Sequence, residues 1–219
     1  MLIGLISDVH GNLPALDTVL DDMPDVGVIL HAGDVIGYNP YPGKVIERFQ
    51  EKEIKTISGN HDRALSTGST FGFHSAAGQA LEWTEKQLSE EEIEFIKSLP
   101  VKENYLDGSI VVAHGSPDNP DKYVYPREFS PRLLDTENLL VLGHTHVQGS
   151  QEFDSGTVVN PGSVGQPRDG DPRSGYAVFD TDTGDLSLER VEYPVEEVQE
   201  RIRDAKLPMS LAERLSQGR

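Results

Sequence analysis

Apolar and polar positions alternate along this chain in a recurring order. Leu2 to Ile6 is an apolar run that stops at Ser7-Asp8, which predicts a short buried strand followed by a loop. Leu13, Leu16, Val19, Leu20 and Met23 then fall at helical spacing. Asn12 is placed to cap that helix, and Pro14 sits in its first turn. Val26 to Leu30 predicts a second strand, Lys44 to Lys52 a second helix, and Ile54 to Ile57 a third strand. Strand, polar loop and helix thus recur three times, the signature of an α/β fold with its loops at the carboxyl ends of strands.

Beyond residue 63 the pattern changes. Segment 63–80 is rich in Gly, Ser and Thr and reads as a loop wrapping near the strand ends. Ala76 to Gln87 and Ser89 to Ser98 predict two helices. Ser89 with Glu92 forms a capping box, and Pro100 follows the second helix. Tyr105-Leu106, a turn at Asp107-Gly108 and Ile110 to Ala113 predict a hairpin that ends at His114. Leu139 to Leu142, Thr157 to Val159, Tyr176 to Phe179 and Leu186 to Val191 predict further strands. Segment 195–216 predicts amphipathic helices broken at Pro208. The length, 219 residues, fits one domain over 1–219.

The polar clusters fall just after predicted strands. They are Asp8 and His10, then Asp34, then Asn60, His61 and Asp62, then His114, then His144 and His146. Strand ends on one sheet edge meet in space, so residues distant in sequence can build one site. On a regular strand His144 and His146 would share a face. Carboxylates, imidazoles and one amide oxygen, with no cysteine anywhere in the chain, suit borderline divalent metals such as Mn²⁺, Fe²⁺, Zn²⁺, Co²⁺ or Ni²⁺. The groups are too many for one ion. Two ions ~3.5–4 Å apart can clamp a phosphate and generate hydroxide between them for in-line attack.

Composition narrows the partners. Asp+Glu number 37 against 19 Lys+Arg, a formal net charge of −18. That excludes a footprint on long duplex nucleic acid and on anionic membrane surfaces, both of which need a basic face. Carboxylates spread along the chain with few lysines point to a halophilic adaptation. The absence of cysteine rules out disulfides and thiolate chemistry. The N-terminal apolar run is too short for a signal peptide, and no stretch approaches the ~20 apolar residues of a membrane helix. The chain therefore reads as a soluble, cytoplasmic protein acting on a small substrate, with homo-oligomerisation left open.

In order, the blocks "SDVHG", "GD" at 33–34, "GNHD" at 59–62, "AHG" at 113–115 and "GHTH" at 143–146 resemble the calcineurin-like metallophosphoesterase superfamily. The segments "ALEWTEKQLSEEEIEFIKSLP" and "NPGSVGQPRDGDPRSGYAVFD" are similar to its small YfcE-like archaeal and bacterial phosphodiesterases, so the resemblance covers most of the chain to about Asp180. It implies a two-sheet β-sandwich flanked by helices, in αββα layers. It implies two divalent ions, Mn²⁺ first among them. Asp8, His10 and His146 would hold one, Asn60, His114 and His144 the other, and Asp34 would bridge. His61 would act on the phosphate or the leaving oxygen as a catalytic group, and Asp62 could orient it. Gly143 would let the chain bend to place the two histidines.

The implied activity is hydrolysis of a small phosphate ester, with diesters first. A phosphomonoesterase or nucleotide phosphatase is the alternative, and a non-catalytic scaffold on the same fold is a third reading. A scaffold needs neither His61 nor a full ligand set, and both are present. Protein Ser/Thr phosphatases carry an arginine where this chain reads Val-Ile-Gly-Tyr after Asp34, which weighs against a phosphoprotein substrate. Other singular residues read more plainly. His31 and Trp83 are taken as core residues, and Asn160 to Ser163 as a structural turn. His74 is taken as a helix-start residue, with substrate contact as the alternative. Arg168 and Arg173 are taken as surface-loop residues, although arginine forks suit phosphate.

Overall fold

The computed structural model describes residues 1–68 and 75–219. Two five-stranded sheets stack face to face. The first runs in the order β10-β9-β1-β2-β3, from β1 (Leu2–Ile6), β2 (Val28–His31), β3 (Lys55–Thr56), β9 (Ser174–Asp180) and β10 (Leu186–Val191). The second runs β4-β5-β6-β8-β7, from β4 (Lys102–Tyr105), β5 (Ile110–Ala113), β6 (Leu139–Val141), β7 (Gly149–Phe153) and β8 (Gly156–Asn160). Strands β1, β2 and β3 are parallel, as are β5, β6 and β8. Their carboxyl ends therefore open on shared edges.

The period-two alternation of side chains sorts residues into separate cores. On β1, Ile3 and Leu5 face the second sheet, while Ile6 faces the helices. On β9, Ala177 and Phe179 point between the sheets and Tyr176 and Val178 point outward. Ile110, Val112, Leu139 and Val141 close the inner layer from the second sheet. Each such buried aliphatic side chain contributes about 1.5–3 kcal/mol.

The helices gather over the first sheet. They are α1 (Leu13–Asp22), α2 (Pro42–Glu51), α3 (Asn60–Thr67), α4 (Ser75–Glu85), α5 (Glu90–Ser98), α6 (Val195–Asp204) and α7 (Met209–Leu215). Leu16, Ile46, Phe49, Ile96, Ile202 and Leu211 supply their share of that core. The fourth layer is different. Leu140, Leu142 and Val158 on the outer face of the second sheet are covered by Val124 and Phe129 of an irregular segment with two short 3-10 turns, not by a helix.

Most elements fall where the periodicity puts them. The Asn12 side chain caps α1, accepting from Ala15, and Ser89 with Glu92 completes a capping box on α5. Among the described residues of segment 63–80, 63–67 belong to α3 and 75–80 to α4, so these parts are helix rather than loop. His74 lies outside the described residues. Strand β7 escapes the pattern: Gly-Ser-Gln-Glu-Phe is polar and holds its place by edge pairing to β8. Trp83 is half-buried against the core rather than within it. Among the described residues no helix is long and apolar enough to cross a membrane.

Candidate metal centre

The carboxyl ends of β1, β2, β5 and β6 bring Asp8, His10, Asp34, His114, His144 and His146 into one buried cluster, with Asn60 and His61 from the start of α3. The local backbone is unusual. Asp8, His10, Asp34, His144 and His146 all have positive φ, between 50° and 67°. Such left-handed backbone in side-chain-bearing residues is strained and persists only where the surroundings enforce it. His144 and His146 therefore do not share the face of a strand. Each turns through its own left-handed conformation after β6 has ended. Gly143 is required for a different reason from a bend. A side chain there would collide with the Ser7 hydroxyl and come within 2.9 Å of the Ala32 carbonyl. At Gly37, whose φ is 143°, a Cβ would lie 2.7 Å from His10 Nδ1 and 2.8 Å from His61 Nδ1.

Each carboxylate is anchored by one oxygen and presents the other. Asp8 Oδ2 accepts from the Ser7 hydroxyl at 2.6 Å and the His144 amide at 3.0 Å. Asp8 Oδ1 receives no hydrogen bond, although His146 Nε2 lies 3.2 Å away. Asp34 Oδ1 accepts from the His61 amide at 2.8 Å. Asp34 Oδ2 lies 3.5 Å from both His10 Nε2 and His114 Nε2, midway between the two halves of the cluster.

The histidines are oriented the same way. The Nδ1 atoms of His10, His114 and His146 lie 3.2, 2.7 and 2.6 Å from the carbonyl oxygens of Ile36, Ala32 and Gln166. A carbonyl only accepts, so each Nδ1 carries the hydrogen, and the neutral rings of His10 and His146 turn a lone pair inward from Nε2. His144 is reversed, donating from Nε2 to the Asp121 carbonyl at 3.2 Å. That leaves Nδ1 as its basic nitrogen.

Lone pairs thus face lone pairs. His10 Nε2 is 3.1 Å from His146 Nε2, while the protonated His114 Nε2 donates to Asn60 Oδ1 at 3.1 Å. Buried acceptors that face each other without a donor are unstable unless a cation sits among them. The donor set is nitrogen and oxygen only, which fits divalent ions. Three groups of ligand atoms come within 4.8 Å of one another: Asp8, His10 and His146; Asp8, Asp34 and His114; and His10, Asp34 and His61. His144 stands outside these groups, its ring 4.7 Å from that of His114.

Electrostatics agree with this need for positive charge. Burial opposes ionisation of Asp8 and Asp34, yet His146 beside the first and His114 beside the second hold both carboxyls well below their usual range. Burial likewise opposes charge on His114, but Asp34 and Asp8 raise it to about 9. Burial keeps the other imidazoles neutral, with His61 brought down to about 3, His144 to about 4 and His10 well below its ordinary value.

Asp62 holds four backbone amides. Its Oδ2 accepts from the amides of Asp34, Gly59 and Val35, at 2.9, 2.9 and 3.2 Å, and its Oδ1 from Ile36 at 3.2 Å. These bonds pin the loop that carries Asp34. Asn160 to Ser163 is a turn that also serves the site. Asn160 Nδ2 donates to the Gly143 carbonyl and the Thr145 hydroxyl, and the Ser163 hydroxyl donates to the Asp8 carbonyl. His31 is buried, with Nδ1 2.7 Å from the Thr56 hydroxyl.

Some neighbours were not singled out by the sequence pattern. Tyr38 packs its ring 4.5 Å from His10 and 4.6 Å from His61. Tyr123, half-exposed, stacks on His144 at 3.9 Å. Their only sequence signal was closeness to a motif: Tyr38 follows Asp34 within one loop, whereas Tyr123 has none. Of the two arginines read as surface residues, Arg173 is one, exposed and paired with Asp171. Arg168 lies instead beside Tyr38 at the cluster.

Comparison with known proteins gives a consistent set of likenesses. Residues 1–184 match the calcineurin-like phosphoesterase superfamily domain. The chain is 31% identical to an uncharacterised protein of Methanocaldococcus jannaschii, across 100% of this chain and 98% of that one. It is 29% identical to the phosphodiesterase YfcE of Escherichia coli, over 80% of this chain and 85% of that one. A crystal structure of a metallophosphoesterase from Sphaerobacter thermophilus superposes with a TM-score of 0.86 at 35% identity, covering 100% of this chain and 99% of the other.

Proposed function

Because the chain belongs to the calcineurin-like phosphoesterase superfamily, we propose that it hydrolyses small phosphate esters, diesters first, at a centre of two divalent ions. The observation that carries this reading is the buried pair of facing acceptors, His10 Nε2 and His146 Nε2 at 3.1 Å, beside an Asp34 Oδ2 that lies 3.5 Å from His10 Nε2 on one side and His114 Nε2 on the other. Asp8, His10 and His146 would hold one ion, and Asn60, His114 and His144 the other, with Asp34 between them. Mn²⁺ is the first choice, and Zn²⁺, Fe²⁺, Co²⁺ and Ni²⁺ suit the same donors. Bound there, such ions polarise a phosphoryl oxygen and acidify water for in-line attack.

The chain's own residues do the rest. Asp62 and Ser7 hold the two carboxylates in register, so that the charge is preorganised rather than gathered during reaction. His61 presents an imidazole against His10 and Tyr38, where it can meet the phosphoryl group or the leaving oxygen. The preference for diesters draws on the 29% identity to a phosphodiesterase. The test is purified protein with Mn²⁺ on bis-p-nitrophenyl phosphate, p-nitrophenyl phosphate and 2′,3′-cyclic nucleotides side by side. Higher kcat/KM on the diesters supports the reading. Faster turnover of the monoester makes it a phosphomonoesterase, and no turnover of any ester favours a scaffold.

A further inference from the structure

Basic residues are few here and acids are abundant, with 19 Lys+Arg against 37 Asp+Glu. A cation at the surface of such a chain is readily neutralised. Arg48, Arg63, Arg173 and Arg190 each pair with a carboxylate. Arg168 does not: among the described residues it makes no ion pair. Its Nε and one terminal nitrogen donate instead to a neutral acceptor, Gln166 Oε1, at 3.2 and 2.9 Å. Its guanidinium lies over the ring of Tyr38, 5.4 Å from the centroid.

That position borders the ligand cluster. The Tyr38 ring touches both His10 and His61. The Arg168 amide donates to the His146 carbonyl at 3.1 Å, and Gln166, which aims the guanidinium, also gives its carbonyl to His146 Nδ1. Arg214 Nε donates to the Arg219 carbonyl, and the Gly170 amide to the Gly218 carbonyl, which laces the end of the chain to the Arg168 loop. The Arg168 guanidinium, with no carboxylate side chain in ion-pair range among the described residues, is thus placed to meet an anion that arrives from solution.

We propose that Arg168, aimed by Gln166 and Tyr38, is the residue that grips the phosphoryl group of the substrate beside the metal-ligand cluster. The inference rests on the phosphoesterase reading. It adds a forked, planar donor where an oxygen of a tetrahedral phosphoryl group can accept its free hydrogens.

The test uses full-length protein loaded with Mn²⁺ and inorganic phosphate as the probe. Phosphate binding is measured by calorimetry in wild type, Arg168→Ala and Arg168→Lys. The backbone bond to His146 survives both substitutions, and bound Mn²⁺ with melting temperature confirms an intact site. Arg168→Ala should weaken phosphate binding about 10- to 100-fold, the worth of a charge-assisted hydrogen bond. Arg168→Lys should recover only part of that, because an ammonium is a point charge and not a fork. On an ester the same variants should raise KM more than they lower kcat. Unchanged phosphate affinity in both variants, with metal retained, overturns the proposal and leaves Arg168 as a clamp on its loop. Wild type that binds phosphate through Arg168 yet hydrolyses no ester would leave this proposal standing and sink the phosphoesterase reading instead.

Discussion

His10 Nε2 and His146 Nε2 stand 3.1 Å apart, and neither has a hydrogen to offer the other, since each ring spends its Nδ1 hydrogen on a carbonyl. Two lone pairs held face to face in a buried site cost free energy unless a cation lies between them. The ring anchors precede the ion, so the geometry should survive its removal. Chelator-treated protein should stay folded and lose melting temperature by an amount that rises with the Mn²⁺ concentration on re-addition. A melting temperature indifferent to Mn²⁺ would contradict this.

Asp62 is expected to matter through metal rather than through His61. Its carboxylate serves four amides, among them those of Asp34, Val35 and Ile36. Asp62→Ala strands buried N–H groups and should destabilise the fold by on the order of 3 kcal/mol. It should also weaken metal binding by releasing the loop that carries Asp34. Chemical denaturation and metal titration of the variant check both. Normal metal affinity with impaired turnover would restore the role of orienting His61.

Most strand and helix positions were legible in the sequence because they depend on local patterns. Leu2–Ile6 and Leu186–Val191 are strands at the expected boundaries, and Asn12 caps its helix. Asp8, His10, Asp34 and His146 were legible as one group because each follows a strand in a parallel set. What the pattern could not carry was backbone handedness. Nothing in Gly-His-Thr-His announces two left-handed histidines, since that conformation is imposed by Ser7, Asp8 and Asn160 from distant parts of the chain. Arg168 was illegible for a similar reason. Its loop sequence looks like surface, and only the packing of Tyr38 and Gln166 turns it inward.

His31 gives a pH test away from the metal ligands. Burial lowers it to about 3, so the folded chain keeps it neutral while the unfolded chain takes up a proton near 6.5. The unfolded state therefore binds more protons between those values. The contribution is fully present above about pH 6.5 and is lost as pH falls toward 3. Replacing it, as in His31→Gln, should flatten the slope of unfolding free energy between pH 4 and 6 by about 1.4 kcal/mol per pH unit. Denaturant titrations across that range measure it, and an unchanged slope would mean His31 charges within the fold.

The acidity should respond to salt. A net charge of −18 repels itself, and molar KCl screens that repulsion over a few ångströms. If the composition is a halophilic adaptation, melting temperature rises steadily from low to molar KCl. A flat or falling curve would mark an ordinary acidic protein.

His61 separates protonation from binding. With His61→Ala, turnover of a diester with a poor leaving group should fall about 10²- to 10⁴-fold, the usual worth of a proton donor, while p-nitrophenyl esters lose less. Equal losses on both substrates would mean that the ring holds the phosphoryl group, and no loss on either would remove His61 from the mechanism.

The central claim is a two-ion centre, with Asp34 Oδ2 between His10 and His114, that cleaves phosphate esters. The most direct measurement titrates Mn²⁺ into ion-free protein, counting bound ions and following bis-p-nitrophenyl phosphate hydrolysis on the same samples. The expected result is activity that climbs with occupancy to two ions per chain, and an Asp34→Asn variant that loses both ions and the activity together. Full activity with a single ion per chain, or in the presence of excess chelator, would contradict it.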